Sequence, residues 1–393
     1  MTAEPVEIAN IRDLLADVSA GSRIIGVETT RLTAPGENYG SLMLRLDVRL
    51  AGGELRLVAK KLPTEELFQE SFNVQVTFKN EIAMYQTVVP LLQKFQRENG
   101  VVDVIDCFPK FYGARINLDG SEVVDEHAVL LLENLVANGY KNINRLDGFD
   151  LASTELILKD LAEFHAVPLA LKLKKPEVFA GLKQYCHDYE FPRGLVSMYF
   201  DSTKRIIKEN EQCAPLIDKI NFLTDVDRSP VVEPFGTLVH CDLWCNNTMQ
   251  RFDAAGVAVQ NKFLDFQFLA YGSPASDLFF FLWTSVRCAV LKEHFERLLR
   301  HYHQHFVGTL AKLKCDVGDF GYDAFLEDIK RHCRFEVGHS INFILYVVHN
   351  VVTKEEFKFP DDIEKVASSV TPKAKEIVWT MLLECEKRNW LYK

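Results

Sequence analysis

The spacing of apolar residues changes along the chain, and this change most constrains the fold. Residues 42–50 alternate between apolar and polar side chains, which is the period of two expected for a half-buried strand. The turn sequence AGGE at 51–54 follows, and residues 55–60 alternate again, so the pattern predicts a β-hairpin. From Phe72, and again from Asp150, the apolar spacing becomes helical.

These patterns predict an α+β fold with two lobes. Further strand-rich segments are predicted at 101–118 and 127–132, and Pro90 is predicted to break the helix that follows Phe72. A strand-rich first third joined to a helix-rich remainder favours two lobes with a cleft between them. We expect residues 1–133 to form a small β-rich N-lobe and residues 134–393 to form a larger helical C-lobe.

Composition excludes several classes of protein. With 48% hydrophobic residues, the chain can bury a core, and its net charge of -10 argues against a nucleic-acid-binding protein. The most apolar segment, 278–290, contains Arg287 and falls short of the roughly 20 apolar residues of a membrane span. The nine cysteines are scattered, and together with an N-terminus unlike a secretory signal they indicate reduced thiols and a cytoplasmic location.

One segment has the residue pattern of a catalytic loop. In LVHCDLWCNN (238–247), Asp242 precedes Asn247 by the spacing at which a carboxylate can accept a hydroxyl proton while an amide oxygen binds magnesium. Asp265 follows an apolar, strand-like run and supplies a second oxygen ligand. Each pattern is short enough to arise by chance, and an aspartate after a strand is often a turn residue.

Three upstream features raise the significance of this loop. Lys60 ends the hairpin, where its ammonium group could neutralise phosphates; Lys61 is the alternative, because alternation turns only one of the two inward. Glu81 could hold that lysine by an ion pair, the alternative being a solvated charge on a helix. The glycine-bearing loop 36–41 could cover phosphates with its backbone amides.

Taken in order, these segments resemble the ecdysteroid kinase-like family, which is related to aminoglycoside and choline phosphotransferases. The matching segments are VAKKLP (58–63), FKNEIAMY (78–85), LLLENL (130–135), LVHCDLWCNNTM (238–249), FLDFQ (263–267) and YGSPASDLFFFL (271–282). The resemblance implies a bilobal, protein-kinase-like fold that transfers the γ-phosphoryl group of ATP to a hydroxyl group of a small molecule. Ecdysteroids are the best-known acceptors of that family.

The resemblance also implies a role for each matching residue. Asp242 resembles the catalytic base, and Asn247, which acts beside it, resembles a magnesium ligand together with Asp265. Lys60 resembles the lysine that pairs with the phosphates of ATP, and Glu81 resembles the partner of that lysine.

Other matching residues would hold the nucleotide through the backbone. Glu133 and Leu135 match the linker whose backbone groups bind the adenine edge, and we place Asn38, Tyr39 and Gly40 in the loop over the phosphates.

Two residues match supports of the catalytic loop, and two features depart from the family pattern. His240 and Asp277 match residues that brace the loop. Cys241 stands where the family usually has glycine, which would strain the loop if that residue needs a positive φ. The nucleotide loop contains only Gly36 and Gly40, so its cover over the phosphates is the weaker match.

The partners implied are ATP, Mg²⁺ and a small-molecule hydroxyl acceptor, which we expect to be an ecdysteroid or a similar steroid or xenobiotic. The alternatives are a choline-like amino-alcohol acceptor, or a kinase-like protein that binds a ligand without catalysis. A serine hydrolase is disfavoured because the sequence has no GxSxG segment. His301, His303 and His305 are expected to be surface or packing residues rather than metal ligands, and His165 to be a hydrogen-bonded packing residue.

Overall fold

Strands from the first third of the chain form a five-stranded antiparallel sheet, and a mainly helical region follows it. The computed structural model describes residues 7–16, 22–32, 41–186, 199–220, 230–349 and 369–391. The strands are β1 (Ile24–Arg31), β2 (Leu42–Leu50), β3 (Gly53–Lys61), β4 (Phe111–Arg115), β5 (Val129–Glu133), β6 (Tyr140–Lys141), β7 (Thr237–Val239), β8 (Thr248–Phe252), β9 (Ala258–Phe263) and β10 (Ala270–Gly272). This arrangement confirms the predicted α+β class.

The helices of the described residues lie mostly in the second part of the chain. The α-helices are α1 (Ile11–Leu14), α2 (Glu66–Ser71), α3 (Val74–Ala83), α4 (Val89–Glu98), α5 (Leu151–Lys174), α6 (Pro176–Leu182), α7 (Phe200–Lys208), α8 (Pro274–Ser285), α9 (Cys288–Lys312), α10 (Tyr322–Phe343) and α11 (Pro372–Lys387). The π-helical turns are Met84–Val88 and Ile344–Val348, and the 3₁₀ turns are Lys183–Tyr185, Ala214–Lys219, Cys245–Asn247, Phe266–Phe268 and Gly318–Phe320.

The alternating residues of β2 and β3 form the predicted hairpin. Leu44, Leu46 and Val48 are fully buried, because a period of two places them on one face of the sheet. The strands are ordered β1-β2-β3-β5-β4, and β3 pairs with β5 so that Lys60 lies opposite Leu130. The end of β3 therefore lies in the interior of the sheet, next to the strand that leads into the second region.

Helices α3 and α4 form one helical segment, and here the predicted break at Pro90 is wrong. A π-helical turn over Met84–Val88 joins the two helices, and Pro90 lies in the first turn of α4. Proline is tolerated in the first turn of a helix because its missing N–H group is not needed there for a hydrogen bond within that helix. The π turn before Pro90 also replaces the regular i→i−4 hydrogen bonds at this point. Within the strand-rich segment predicted over 101–118, Phe111–Arg115 forms the strand β4, which pairs with β5.

The second region consists of helices packed around short strands. Helix α5 packs along α9, and a single hydrophobic core runs from α3 through α5, α8 and α10 to α11. Strands β6, β8 and β9 form one sheet, and β7 pairs with β10. The turn between β7 and β8, and the segment between β9 and β10, lie on this core and carry the residues predicted to act.

Histidines and cysteines have structural roles here. His301 and His303 bond to the backbone oxygens of Glu155 and Phe320, and the described residues contain no cluster of three or more metal-binding side chains. All nine cysteines are described, and none of them forms a disulfide. None of the described helices combines the length and apolar character required to cross a lipid bilayer.

Candidate active site

Lys60 connects the first sheet to the second region. Its Nζ lies 2.5 Å from Oε2 of Glu81 on α3 and 2.6 Å from Oδ1 of Asp265, which follows β9. The lysine is 5% exposed and Glu81 is 1% exposed, so both charges are removed from water. Lys61 is only half-buried. The alternation of β3 therefore points Lys60, and not Lys61, toward the two carboxylates.

The three charges alter one another's protonation. Burial opposes the charged ammonium group, but Asp265 and Glu81 outweigh it and raise the pKa of Lys60 above its usual value. Burial raises the pKa of Glu81, and Lys60 opposes that rise. A single ammonium group thus faces two carboxylates, of which Asp265 is the more exposed.

Asp242 and Asn247 form a second unit in the loop of residues 240–247, which we call the catalytic loop after its predicted role. Nδ2 of Asn247 donates to the backbone oxygen of Asp242 at 2.8 Å and to its Oδ2 at 2.9 Å. Because Nδ2 donates to Asp242, the amide oxygen of Asn247 remains as an acceptor. Burial, followed by the charge of Asp265, raises the pKa of Asp242 well above its ordinary value.

The catalytic loop is tied to the segment that carries Asp265. Nε2 of His240 lies 2.7 Å from the backbone oxygen of Leu264, and Nδ1 of the same ring accepts from the N–H of Asp242 at 3.2 Å. Because Nδ1 accepts, Nε2 carries the proton. Burial lowers the pKa of His240, which favours this neutral ring. The N–H of Leu264 in turn donates to the oxygen of Asn247 at 2.9 Å.

Asp277, in the first turn of α8, holds the loop backbone from the other side. It accepts from the N–H of His240 at 2.6 Å and from the N–H of Cys241 at 2.8 Å. His165 lies 3.1 Å away through Nε2, and its Nδ1 contacts the hydroxyl of Tyr302 at 2.7 Å. Burial alone would raise the pKa of Asp277, but His165 and the other donors lower it. The carboxylate therefore stays ionised and braces the loop, which is the position expected from the sequence.

Cys241 has a positive φ, the conformation that the sequence analysis identified as a possible source of strain in the loop. Its φ is 67°, in the left-handed region that glycine adopts more easily, and Asp265 has a φ of 62°. The N–H groups of His240 and Cys241 both donate to Asp277, and these bonds hold the backbone in this conformation. A cysteine is therefore accommodated where the family usually has glycine.

The linker residues lie at the end of β5. The side chain of Glu133 accepts from the N–H of Lys110 at 3.1 Å and from Nδ2 of Asn138 at 2.5 Å. Its N–H donates to the oxygen of Lys110 at 2.9 Å, so the backbone oxygen is the group that could serve the expected role. The oxygen of Leu135 accepts from the N–H groups of Asn138 and Tyr140. The N–H of Leu135 has no hydrogen-bond partner among the described residues. Residues Asn38, Tyr39 and Gly40 lie outside the described residues.

The oxygen atoms at the site suit magnesium. Magnesium is usually bound by one or two carboxylates together with waters and substrate phosphates. Asp265 offers Oδ2, since its Oδ1 contacts Lys60, and Asn247 offers its amide oxygen. With two protein ligands and no larger ligand cluster in the described part of the chain, the ion would have to be shared with a bound phosphate group.

Two contacts were not foreseen from the sequence. The direct ion pair between Lys60 and Asp265 joins residues 205 positions apart, and no local pattern signals it. The contact of His165 with Asp277 adds a third donor to the brace, although the helical stripe on α5 correctly placed His165 in the core.

Comparison with known proteins identifies the family. The model of the ecdysteroid kinase-like family matches residues 35–315, which is well over half of the chain. No curated protein gives a significant match to the sequence.

Several solved structures are similar at low identity. Ethanolamine kinase from Plasmodium vivax aligns with a TM-score of 0.42 and 12% identity over 94% of this chain and 90% of that one. Choline kinase from Cryptosporidium parvum gives a TM-score of 0.43 and 10% identity, covering 97% and 95% of the two chains. Spectinomycin phosphotransferase, in complex with ADP and spectinomycin, gives 0.47 and 9%, covering 96% and 99%. These scores are too low to transfer roles, so the assignment rests on the family match: the chain belongs to the ecdysteroid kinase-like family.

Proposed function

We propose that this protein is an ATP- and magnesium-dependent kinase that phosphorylates a hydroxyl group of a small molecule. Asp242 is the general base, Asn247 and Asp265 hold magnesium on the phosphates, and Lys60, positioned by Glu81, neutralises phosphate charge. Backbone groups of the linker bind the adenine edge, for which the N–H of Leu135, without a partner among the described residues, is suited.

The observation that carries this proposal is the convergence of distant residues on one cleft. Lys60 from the first sheet meets Asp265 from the second region at 2.6 Å. Asp242 is held by Asn247, whose backbone oxygen is bonded to Leu264, the residue before Asp265. Such a set of one cation, two carboxylates and one amide oxygen matches the needs of phosphoryl transfer, in which positioning and charge neutralisation supply most of the catalysis.

In the proposed transfer, each of these residues has a part. The acceptor hydroxyl oxygen forms the new bond to the γ-phosphorus as the bond to the bridging oxygen of ADP breaks, and the hydroxyl proton passes to Asp242. Oδ2 of Asp242 is bonded to Asn247, and its Oδ1 has no hydrogen bond within the described ranges, so Oδ1 is the atom available to the hydroxyl. Magnesium, when bound, would neutralise charge on the phosphates. Lys60 would exchange part of its contact with Asp265 for a phosphate oxygen.

The acceptor we propose is an ecdysteroid or a similar hydroxylated apolar compound. Trp244, two residues after Asp242, packs edge-on against Phe343 with ring centroids 5.1 Å apart. Phe280 packs against Phe343 at 4.8 Å and stacks on His339 at 4.5 Å. These rings are buried in the core, with Phe280 2% and Trp244 9% exposed, and the carboxylate of Glu336 lies 3.1 Å from His339 beside them. They therefore do not separate a steroid from a choline-like amine, the alternative acceptor, and the preference for an ecdysteroid rests on the family match.

The test compares Asp242→Asn with the wild-type protein on a panel of acceptors. Ecdysteroids, other hydroxylated steroids and amino alcohols are incubated with ATP and Mg²⁺, and the phosphorylated product is detected by mass spectrometry. We expect product from a steroid, and a loss of about 10²-fold or more in kcat for Asp242→Asn, because general-base catalysis contributes about that much. Asp103→Asn, an exposed aspartate outside the site, serves as the matched control and should keep full activity.

Two results would contradict parts of the proposal. Near-normal turnover by a folded Asp242→Asn protein would remove the base assignment. Product from amino alcohols but not from steroids would replace the proposed acceptor class while leaving the reaction type in place.

A further inference from the structure

His165 lies in the middle of a chain of buried hydrogen bonds that ends at the catalytic loop. Its Nδ1 contacts the hydroxyl of Tyr302 on α9 at 2.7 Å, and its Nε2 lies 3.1 Å from Oδ2 of Asp277 on α8. Both His165 and Tyr302 are fully buried. The loop is thus connected to two long helices, α5 and α9, that carry none of the residues proposed to act in the transfer.

The direction of each hydrogen bond in this chain follows from the groups that face one another. The ionised carboxylate of Asp277 can only accept, so Nε2 of His165 donates to it. The hydroxyl of Tyr302 has no other hydrogen bond among the described residues, so it donates to Nδ1 and leaves the ring neutral. The chain therefore runs in one direction, from Tyr302 through His165 to the carboxylate.

A separate contact fixes the helix that carries Asp277. Ser273 precedes α8, where its side-chain oxygen accepts from the N–H of Ala275 at 3.0 Å and its hydroxyl donates to Asp328 on α10. This cap holds the backbone of α8 but not the side-chain torsions of Asp277, four residues later. The orientation of that carboxylate therefore depends on the groups that donate to it.

His165 is the donor to Asp277 that does not belong to the catalytic loop. The other two donors, the N–H groups of His240 and Cys241, move with the loop and cannot fix the carboxylate against which the loop is held. The backbone oxygen of His165 also accepts from Oγ1 of Thr237 at 2.7 Å, and Thr237 begins β7, the strand that leads into the loop. One residue on α5 thus holds the strand with its backbone and the brace with its side chain.

The loss of this donor would leave Asp277 poorly compensated. Burial raises the pKa of Asp277, and the hydrogen bond from His165 is the largest of the influences that lower it again. In a site closed to water, a carboxylate that loses a donor must turn toward other donors or take up a proton. Either change alters its bonds to the loop.

We propose that His165 is a positioning residue for phosphoryl transfer, which orients the carboxylate of Asp277 and thereby the backbone that carries Asp242, while Tyr302 holds the imidazole ring. This inference deepens the proposed function and rests on it. Because Asp242 directly follows Cys241, a shift of the braced N–H groups moves the base relative to the acceptor hydroxyl. The effect should fall on kcat, since the nucleotide is held by other residues.

Two substitutions at His165 separate the donor from the ring. The amide nitrogen of glutamine reaches the position of Nε2, whereas that of asparagine reaches only the position of Nδ1, so glutamine alone can still donate to Asp277. Both variants lack the imidazole and its packing. We expect His165→Asn to lower kcat about tenfold or more with KM for ATP within about twofold, and His165→Gln to keep kcat within about twofold.

His301→Asn is the matched control. His301 is the neighbour of Tyr302 on α9, and its Nε2 bonds to the backbone oxygen of Glu155 at 2.9 Å, outside the chain that reaches Asp277. The same substitution there removes a histidine hydrogen bond of the same kind. It should leave both kcat and KM for ATP as in the wild type.

Hydrogen exchange tests the link to the loop without phosphoryl transfer. Exchange of the N–H groups of His240 and Cys241 is followed by mass spectrometry in the ligand-free protein. It should be about tenfold faster in His165→Asn and within about twofold of the wild type in His165→Gln. Tyr302→Phe keeps the packing and removes only the donor to Nδ1, so it should speed this exchange and lower kcat, each by about fivefold.

Three results would overturn the proposal. Equal losses of kcat in His165→Asn and His165→Gln would mean that the packing of the ring matters and the donor does not. Wild-type exchange at 240 and 241 in a folded His165→Asn protein would show that the donor does not hold the loop. If His165→Asn does not fold, wild-type exchange in Tyr302→Phe decides against the proposal in the same way.

A failure of the proposed function gives a different result. A wild-type protein that phosphorylates no acceptor would contradict the proposed function, and with it the part of His165 in the transfer. The exchange measurements need no substrate, so they would still decide whether His165 holds the loop.

Discussion

Replacing Cys241 by glycine should make the protein more stable than replacing it by alanine. Both substitutions remove the thiol, but only alanine keeps a Cβ in the left-handed conformation at φ 67°. A Cβ costs about 1–2 kcal/mol in this region, and the greater freedom of glycine in the unfolded chain offsets about 0.5–1 kcal/mol. We therefore expect the glycine variant to exceed the alanine variant by roughly 0.5–1 kcal/mol in the free energy of unfolding.

The assay is urea denaturation followed by circular dichroism, supported by thermal unfolding. Unfolding a chain of this length involves an entropy of roughly 0.8 kcal/mol/K, so the two variants should differ by about 1 °C in Tm. Cys245 provides the matched control, because it is buried in a 3₁₀ turn where φ is negative. There the order should be reversed, with alanine more stable than glycine.

The sign of the stability difference between the glycine and alanine variants at position 241 tests the argument from backbone strain. An alanine variant at Cys241 as stable as the glycine variant, or the same order at both positions, would refute the argument from backbone strain. We also expect both Cys241 variants to keep turnover within a few-fold of the wild type, because the N–H bonds to Asp277 depend on the backbone and not on the thiol.

Two further substitutions follow from the charges described here. Lys60→Met should lower kcat/KM for ATP by about 10²-fold or more, since it removes the cation at the phosphates. Lys61→Met is the control and should have little effect. A coupled assay of ADP release measures both variants, and equal losses would contradict the assignment of Lys60. Asp160→Asn should raise stability at pH 8 but not at pH 4, because burial and then Glu163 raise the pKa of Asp160 to about 7. When folding raises the pKa of an acid, the protein loses stability as pH rises from the unfolded pKa of 3.8 through the folded pKa of about 7. Removing the charge should therefore increase the free energy of unfolding by roughly 2 kcal/mol at pH 8, after allowance for partial exposure. Urea denaturation at pH 4 and pH 8 measures this, and an equal effect at both pH values would contradict it.

Local patterns predicted the parts of this fold that depend on local physics. The period of two over β2 and β3 specified the hairpin, and the same alternation allowed only one of Lys60 and Lys61 to face inward. The short helical stripe around Glu81 placed that residue on a buried face, where an unpaired carboxylate would be unfavourable. The ion pair between Lys60 and Glu81 meets that requirement.

Other features depend on contacts that a sequence does not display. The rule that proline breaks helices assumes regular α-helical hydrogen bonds, and the π turn before Pro90 changes those hydrogen bonds locally. The approach of Asp265 to Lys60 depends on how the two regions pack, and the third donor to Asp277 comes from α5, far away in the chain. The resemblance pointed to Asp277 as a brace, but only the coordinates show which donors it satisfies.

The contact between Lys60 and Asp265 has a consequence for how the cleft responds to its ligand. This contact joins the β-sheet to the helical region, so any widening of the cleft must separate a buried ammonium group from a partly buried carboxylate. An incoming triphosphate offers the lysine a replacement anion. Binding of a nucleotide at the proposed site would therefore weaken the ion pair between Lys60 and Asp265 that joins the two regions.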